Sequence, residues 1–475
     1  MEKTKNEGER RKPSEGASAG ARAKKLLSVD ERRAAGKARR EHASRASHGG
    51  WAPPKRRADP VGILKHSNEG RVPELVPIRF SRMRESPFAF FRGAAAIMAA
   101  DLATTPNSGL LVQACGDAHL MNFGGFATPE RNIFFDINDF DETLPAPWEW
   151  DVKRLAASIV IAAKHLDFLE SDAAKAATDA VQAYREHMTD YAAMRALDVW
   201  YDRIDLESVL KSAPSQEYVE RIEGRVDQAR RKSAPEVLFP KLVEHVGADP
   251  KIKDEPPLIF HPTAEQAPGL RSSYSEAIAE YRRSLPEHVR VLFDRYQFVD
   301  LAMKVVGVGS VGTRCSVGLF MASENDPIFL QIKEARQSVL EPYAGKSAYS
   351  NHGERVVAGQ RLMQAASDIF LGWGRGVNKL HFYVRQLRDV KLSAVLEDWD
   401  PGVLRQYGKL CAWALARSHA RSGDPAAIAG YMGSNATFDE AVCEFAVEYA
   451  DQNQRDYRAF VRAIRVGEIE AAPEL

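Results

Sequence analysis

The stretch Gly116-Asp117-Ala118-His119-Leu120-Met121-Asn122, followed by Phe134-Phe135-Asp136-Ile137-Asn138-Asp139-Phe140-Asp141, decides how the chain is read. Leu110–Cys115 is a short apolar run that reads as a strand, so Asp117 enters a loop where a carboxylate can point into a cleft. Asn122 follows five residues later, and Asp136 fourteen after that, at the end of a second apolar strand over Asn132–Asp136. Asp136, Asp139, Asp141 and Glu142 alternate with Phe and Ile. Solvated turn carboxylates are the plain alternative, since Asp and Asn are frequent in turns. A calcium loop is another, but the spacing lacks the Gly and closing Glu of an EF-hand. Phosphoryl transfer needs a carboxylate that accepts or orients the nucleophile's proton, and hard oxygen donors that hold Mg²⁺ against phosphates.

This pattern resembles the catalytic loop of kinase-like small-molecule phosphotransferases, where an Asp is followed five residues later by Asn and then by a metal-binding Asp. Their usual lead-in His-Gly-Asp is Cys115-Gly116-Asp117 here. The resemblance implies that Asp117 is the catalytic base, Asn122 a metal ligand and Asp136 the principal metal ligand. Asp139 or Asp141 could share the metal. Asp151 falls where such folds keep a helix-start Asp that braces the catalytic loop; a helix N-cap is its purely structural role.

A second signal is Val305-Val306-Gly307-Val308-Gly309-Ser310-Val311-Gly312-Thr313-Arg314. Glycines at this spacing let backbone N–H groups approach phosphates with no Cβ in the way. A Rossmann loop uses the same letters but opens a helix, whereas a kinase loop turns back into a strand. Arg314–Phe320 is β-like and contains Gly318, which favours the second case. Pro327–Ala335 then closes an apolar strand on Lys333, matching the third-strand kinase lysine that contacts the α- and β-phosphates. Gly307, Gly309, Ser310, Gly312 and Lys333 are therefore the expected nucleotide contacts. Glu354, on the following helix, is the expected partner of Lys333; Glu341 precedes Pro342 and suits a turn.

These parts stand in rearranged order, with the glycine loop nearly 200 residues after Asp117. The helix Arg405–His419 looks like one that leads into a catalytic loop, yet no Asp-x4-Asn follows it. A circular permutation reconciles both facts. The expected fold is α+β: a two-lobed, protein-kinase-like arrangement with a larger helical lobe and a small β-rich lobe. The expected organisation is a mobile basic tail over 1–58, a helical lobe over 59–300 and a β-rich nucleotide-binding lobe over 301–390. Helices over 391–475 then return to the larger lobe.

Composition sets the outer limits. Lys+Arg and Asp+Glu balance at 65 each, so the whole chain carries no nucleic-acid signature, but residues 1–60 hold 17 basic against 8 acidic side chains. That segment could attract an acidic partner electrostatically. The four cysteines are scattered, with no C-x-x-C pair, which disfavours a zinc site or a disulfide framework. No run approaches the ~20 apolar residues of a membrane span, and the N-terminus lacks a signal-peptide core. A cytoplasmic protein is expected.

At Arg82-Met83-Arg84-Glu85-Ser86-Pro87-Phe88-Ala89-Phe90-Phe91-Arg92-Gly93, joined to the acidic stretch and Val306–Thr313, the resemblance becomes specific. The chain resembles the bacterial family catalogued as domain of unknown function 2252, over roughly residues 58–460. Arg82, Arg84 and Arg92 could contact phosphate or brace the acidic loop. The leading expectation is an ATP- and Mg²⁺-dependent phosphotransferase acting on an unidentified small molecule or protein. An AMP-transferring enzyme and a non-catalytic nucleotide-binding regulator are the alternatives.

Overall fold

The computed structural model describes residues 26–233, 235–246, 249–261, 270–305, 307, 309, 311–376, 379–387 and 390–473. The chain is 54% helical and 16% strand, and the two kinds of structure are interleaved, so the expected α+β class holds. No helix of the described residues is long and apolar enough to cross a membrane.

Four short strands come first: β1 (Leu111–Ala114), β2 (Phe123–Ala127), β3 (Ile133–Ile137) and β4 (Leu144–Pro147). β1 pairs with β4, and β2 forms a hairpin with β3. The helix Trp148–His165 follows directly and is buried along nearly its whole length, as its apolar sequence requires. It packs against the helices Glu170–Ala193 and Pro401–Ser422 and the long helix Thr437–Arg465. Trp148 stacks on Tyr184 at 5.6 Å in the middle of this core.

β5 (Val243–Val246) and β6 (Asp249–Ile252) form a small hairpin. The main sheet consists of β7 (Ile259–Phe260), β8 (Gln297–Lys304), β9 (Cys315–Ser323), β10 (Asp326–Glu334), β11 (Gly372–Arg375) and β12 (His381–Gln386). Its antiparallel order is β11-β12-β10-β9-β8-β7. Side chains alternate across a strand, which sorts β10 into two faces. Ile328, Leu330 and Ile332 pack with Phe293 and Phe320, while Phe329, Gln331 and Lys333 face the other way. β11, Gly-Trp-Gly-Arg, escaped the sequence reading because two glycines in four residues read as a turn. A last strand, β13 (Lys391–Ser393), leaves the main sheet and pairs with β2, tying the two halves together.

Two expected boundaries need correction. The helix Leu270–Ser284 contacts β11, and Tyr281, Leu285, Val289 and Phe293 pack on the main sheet, so the β-rich unit begins well before residue 301. The basic segment is structured from residue 26 onward rather than mobile to 58. Its helix Val29–Ala38 starts with a capping box between Ser28 and Glu31. Arg57 donates to buried Asp101 at 2.7 Å and to buried Asp456 at 2.6 Å. Residues 1–25 of that call lie outside the described residues.

Candidate functional site

The loop after β1 is shaped by its backbone. Gly116 has φ +83, and a Cβ there would lie 2.6 Å from the Glu142 carbonyl oxygen, so only glycine fits. Asp151, in the first turn of the helix Trp148–His165, accepts from the N–H of Cys115 at 2.6 Å and of Gly116 at 2.9 Å. His419 Nε2 lies 3.2 Å from the same carboxylate. The bracing position expected for Asp151 is the one it occupies.

Asp117 is held from two sides. Asn122 Nδ2 donates to its carbonyl at 2.7 Å, and Arg154 Nε donates to its carboxylate at 2.6 Å. Arg154 lies over the Phe91 ring, 4.3 Å from its centroid. Loss of water pushes the Asp117 carboxyl above its usual pKa, against the pull of Arg154, and the negative charge of Asp139 adds to the rise. His119, 3.8 Å from Asp117, is buried beside Arg92 and Arg154, so its imidazole is held neutral.

The second half of the site joins distant sequence. Lys333, at the end of β10 and 3% exposed, places Nζ 2.5 Å from Asp141 and 3.5 Å from Asp139. Tyr383 of β12 donates its hydroxyl to Asp141 at 2.8 Å. Burial would lower the Lys333 pKa, but Asp139 and Asp141 outweigh it and hold the ammonium charged. Burial likewise opposes ionisation of Asp139, yet Lys333 and Arg385 keep it below the ordinary carboxylate range. Beside it, burial pushes Glu142 up to about 7 although Val339 N–H and Arg355 favour its charge. The N–H of Asn138 donates to the Asn122 carbonyl at 2.8 Å, and Cys115 Sγ donates to the Asp139 carbonyl at 3.4 Å. These bonds fasten the loop of Asp117 to that of Asp139.

A cavity of about 860 Å³ opens here, with Gly307, Gln331, Lys333, Asn138, Asp139 and Arg385 among its walls. Asp117 and Asn122 do not line it; they adjoin it through Asp139 and Asn138. The glycine loop is the β8–β9 connection, strand to strand, with φ +63 at Gly307 and +87 at Gly312. It is held from outside. Val72 N–H donates to Gly312 at 2.8 Å, Arg71 to Val311 at 2.6 Å and Arg82 to Gly307 at 2.5 Å, all onto carbonyls. Gly309 approaches Arg92, since a Cβ there would sit 3.5 Å from the Arg92 carbonyl. Ser310 lies outside the described residues.

Two expected site residues are placed elsewhere. Asp136 does not reach the cavity. Its carboxylate is fully buried, bonded by Arg417 at 2.6 Å, by Ala365 N–H at 2.9 Å and by its own neighbour Ile137 N–H. It ties β3 to the helix Pro401–Ser422 and leaves Asp139 as the acid facing the cleft. Glu354 does not pair with Lys333, because Asp139 and Asp141 occupy that role. The next residue, Arg355, turns inward instead and donates to the carbonyls of Asp141, Thr143 and Arg336. Sequence reading missed Arg154, Arg355 and Tyr383. Each acts through tertiary contacts that span 19 to 242 residues.

Among the described residues no group of three or more His, Cys, Asp or Glu side chains is arranged to hold a metal ion. Magnesium is commonly held by one or two carboxylates together with substrate phosphates. Asp139, 32% exposed and on the cavity wall, offers such a carboxylate, and the Asn122 backbone carbonyl is bonded to the neighbouring Asn138 N–H.

The profile of a family described as "Uncharacterized protein conserved in bacteria (DUF2252)" matches residues 71–463. No curated protein and no solved structure matches the chain. The matched span takes in the loop of Asp117, the glycine loop and Lys333 together, and most of the 475 residues, so this chain belongs to the DUF2252 family.

Proposed function

We propose that the chain is an ATP- and magnesium-dependent phosphotransferase with a protein-kinase-like, circularly permuted fold. The observation that carries the reading is the contact of Lys333 with Asp139 and Asp141 across 194 residues of sequence. A strand-end lysine that contacts phosphate and a loop carboxylate that holds a metal ion, facing one cavity, are the pair that positions transferred phosphate.

Three further features support it. The glycine loop joins the strands before the lysine strand, and the helix His352–Met363 follows that strand, as in kinases. The 860 Å³ cavity is of nucleotide size. The helix Pro401–Ser422 ends beside β1, with Ser422 Oγ accepting from Gln113 N–H at 3.2 Å. In space, therefore, that helix leads into the loop of Asp117 although it follows it in sequence. Lys333 and the glycine-loop backbone would hold the triphosphate, Asp139 with Asn122 the metal ion, and Asp117 would orient the acceptor hydroxyl. Bound Mg²⁺ would supply charge neutralisation at the phosphates. Arg154 fixes the direction of the Asp117 carboxylate, and raising the Asp117 pKa improves it as a proton acceptor.

The test is calorimetric titration of ATP, with and without Mg²⁺, into the wild type, Lys333→Ala and Asp139→Asn. Magnesium-dependent binding that both substitutions weaken at least tenfold is expected. Absence of binding in the wild type refutes the reading. Mass analysis of products in an acceptor screen then separates phosphoryl from adenylyl transfer, and ATP binding without turnover identifies a regulator.

A further inference from the structure

Arg33, Lys37, Arg40 and Arg45 fall within thirteen residues of sequence. On the helix Val29–Ala38, Arg33 and Lys37 are four residues apart and so share a face. This helix lies backbone to backbone on the helix Pro425–Met432. A Cβ on Gly36 would sit 1.8 Å from the Ala427 carbonyl oxygen, and one on Gly430 would sit 2.1 Å from that of Arg33. Only glycine at both positions permits the approach, which presents the basic side chains to the end of that helix and the residues after it, 430–435. Arg40 donates from Nε to Tyr431 and from Nη2 to Gly430, both carbonyls at 2.8 Å. Arg45 donates to the Met432 carbonyl at 2.7 Å and to Asn435 Oδ1 at 2.5 Å.

These bonds orient the guanidinium groups without neutralising them. Among the described residues none of the four cations makes an ion pair. Burial and then the nearby Arg45 lower the Arg40 pKa, against the pull of Tyr431. They line a cavity of about 650 Å³ whose far wall is the helix Glu170–Ala193. On that wall Arg185 is already neutralised by buried Asp439 at 2.8 Å, while Glu186 and Asp190 contribute two carboxylates. Four unpaired cations therefore face two acids. Ser434 and Asn435 complete the rim just before the helix Thr437–Arg465, whose N-terminus has no side-chain cap.

We propose that this cavity is a binding site for a small anion carrying two or more phosphate groups. Arginine forks match phosphate oxygens in pairs. The volume is that of a small-molecule site, and the cavity is an open cleft between helices whose four cations come from one short segment, rather than an extended basic stripe of the kind a nucleic acid backbone needs. It shares no wall residue with the cavity at Lys333, so it stands independently of the proposed activity.

The probe is inorganic tripolyphosphate, titrated without Mg²⁺ at near-physiological ionic strength into the full chain. The variants are Arg33→Glu/Lys37→Glu, Lys333→Ala, and a control reversal on an exposed face, Arg458→Glu/Arg462→Glu. Saturable one-site binding is expected in wild type, Lys333→Ala and control alike. The Arg33→Glu/Lys37→Glu variant should bind at least tenfold more weakly while melting at the wild-type temperature. If the charge reversal lowers that temperature, Lys37→Ala alone repeats the test with an expected threefold or greater loss. Equal binding in the cavity variants, loss of binding in Lys333→Ala, or no binding by the wild type overturns the proposal. So does preferential, steeply salt-dependent binding of single-stranded RNA over tripolyphosphate, which assigns the surface to a polymer.

Discussion

Asp136→Asn separates a structural acid from a metal-binding one. The Asp136–Arg417 pair is fully buried on both sides, at 2.6 Å. Removing one charge of such a pair strands the other in low dielectric, at a cost of about 3–5 kcal/mol. Unfolding entropy of ~2.1 cal/mol/K per residue over 475 residues comes to about 1 kcal/mol/K, so Tm should fall by about 3–5 °C. The fall is larger if the helical part melts as its own unit. Asp139→Asn should behave differently, because Asp139 is 32% exposed and Lys333 keeps Asp141 at 2.5 Å. Its stability cost should stay near that of a partly solvated ion pair, within about 1 kcal/mol, or about 1 °C. Scanning calorimetry and Mg-ATP titration on both proteins read the two effects separately. The expected pattern is crossed: Asp136→Asn melts early yet binds within threefold of wild type at 20 °C, and Asp139→Asn melts normally but binds more than tenfold more weakly. The opposite pattern, normal melting and lost binding in Asp136→Asn, would return Asp136 to the metal and refute the reasoning.

Gly116→Ala forces a left-handed residue with its Cβ against the Glu142 carbonyl. The backbone term alone is about 1–2 kcal/mol, so thermal unfolding should shift down by 1–2 °C or more and transfer activity should collapse. A fully active Gly116→Ala would show that the loop tolerates rearrangement. Arg57→Ala leaves the Asp101 and Asp456 carboxylates buried without their cation. A loss of about 3–5 kcal/mol is expected in urea denaturation, and a loss under 1 kcal/mol would show that the segment before residue 58 docks without it. Lys153 is buried 4.8 Å over the Phe445 ring, and burial lowers its pKa to about 7 against the pull of Glu149. An unfolded chain holds that proton up to about 10.4, so the unfolded state binds more protons between these values. Stability should therefore rise with pH from 7 to 10, by up to roughly 1.4 kcal/mol per unit. Lys153→Met should flatten that rise in a urea series from pH 7 to 9.5, and identical slopes would exclude Lys153 as its source.

What sequence made legible was local. The turn from β8 back into β9, the lysine closing β10 and the loop after β1 all follow from short apolar runs with glycine or acid at their ends. The frame of the acidic cluster was not legible. Asp136 and Asp139 are three residues apart and chemically identical, and the choice between them is made by Arg417, 281 residues away. The partner of Lys333 was misread for a similar reason. The helix His352–Met363 points Arg355 rather than Glu354 at the acidic loop, and one residue of helical phase decides it. The segment 26–58 was read as part of a mobile tail because residues 1–58 hold almost no large apolar side chains before Trp51. It docks through glycine-to-carbonyl packing and arginine-to-carbonyl bonds, neither of which hydrophobic periodicity detects.

The charges around Lys333 also predict how a ligand must enter. Without one, Lys333 is answered by Asp139 and Asp141. Phosphate at Lys333 draws its ammonium from both carboxylates and sets them beside added negative charge. At about 4 Å and an effective dielectric constant of 20, each such like-charge contact costs about 4 kcal/mol, comparable with what Lys333 contributes in return. A divalent cation beside Asp139 reverses the sign of that contact. Wild-type chain should therefore bind ATP at least tenfold more weakly without Mg²⁺ than with it. Asp139→Asn removes the repulsion and the metal donor together. It should bind metal-free ATP more tightly than wild type does while losing its response to Mg²⁺. Wild-type binding that ignores Mg²⁺, or an Asp139→Asn variant weaker than wild type in the metal-free titration, would show that Asp139 does not face the phosphates.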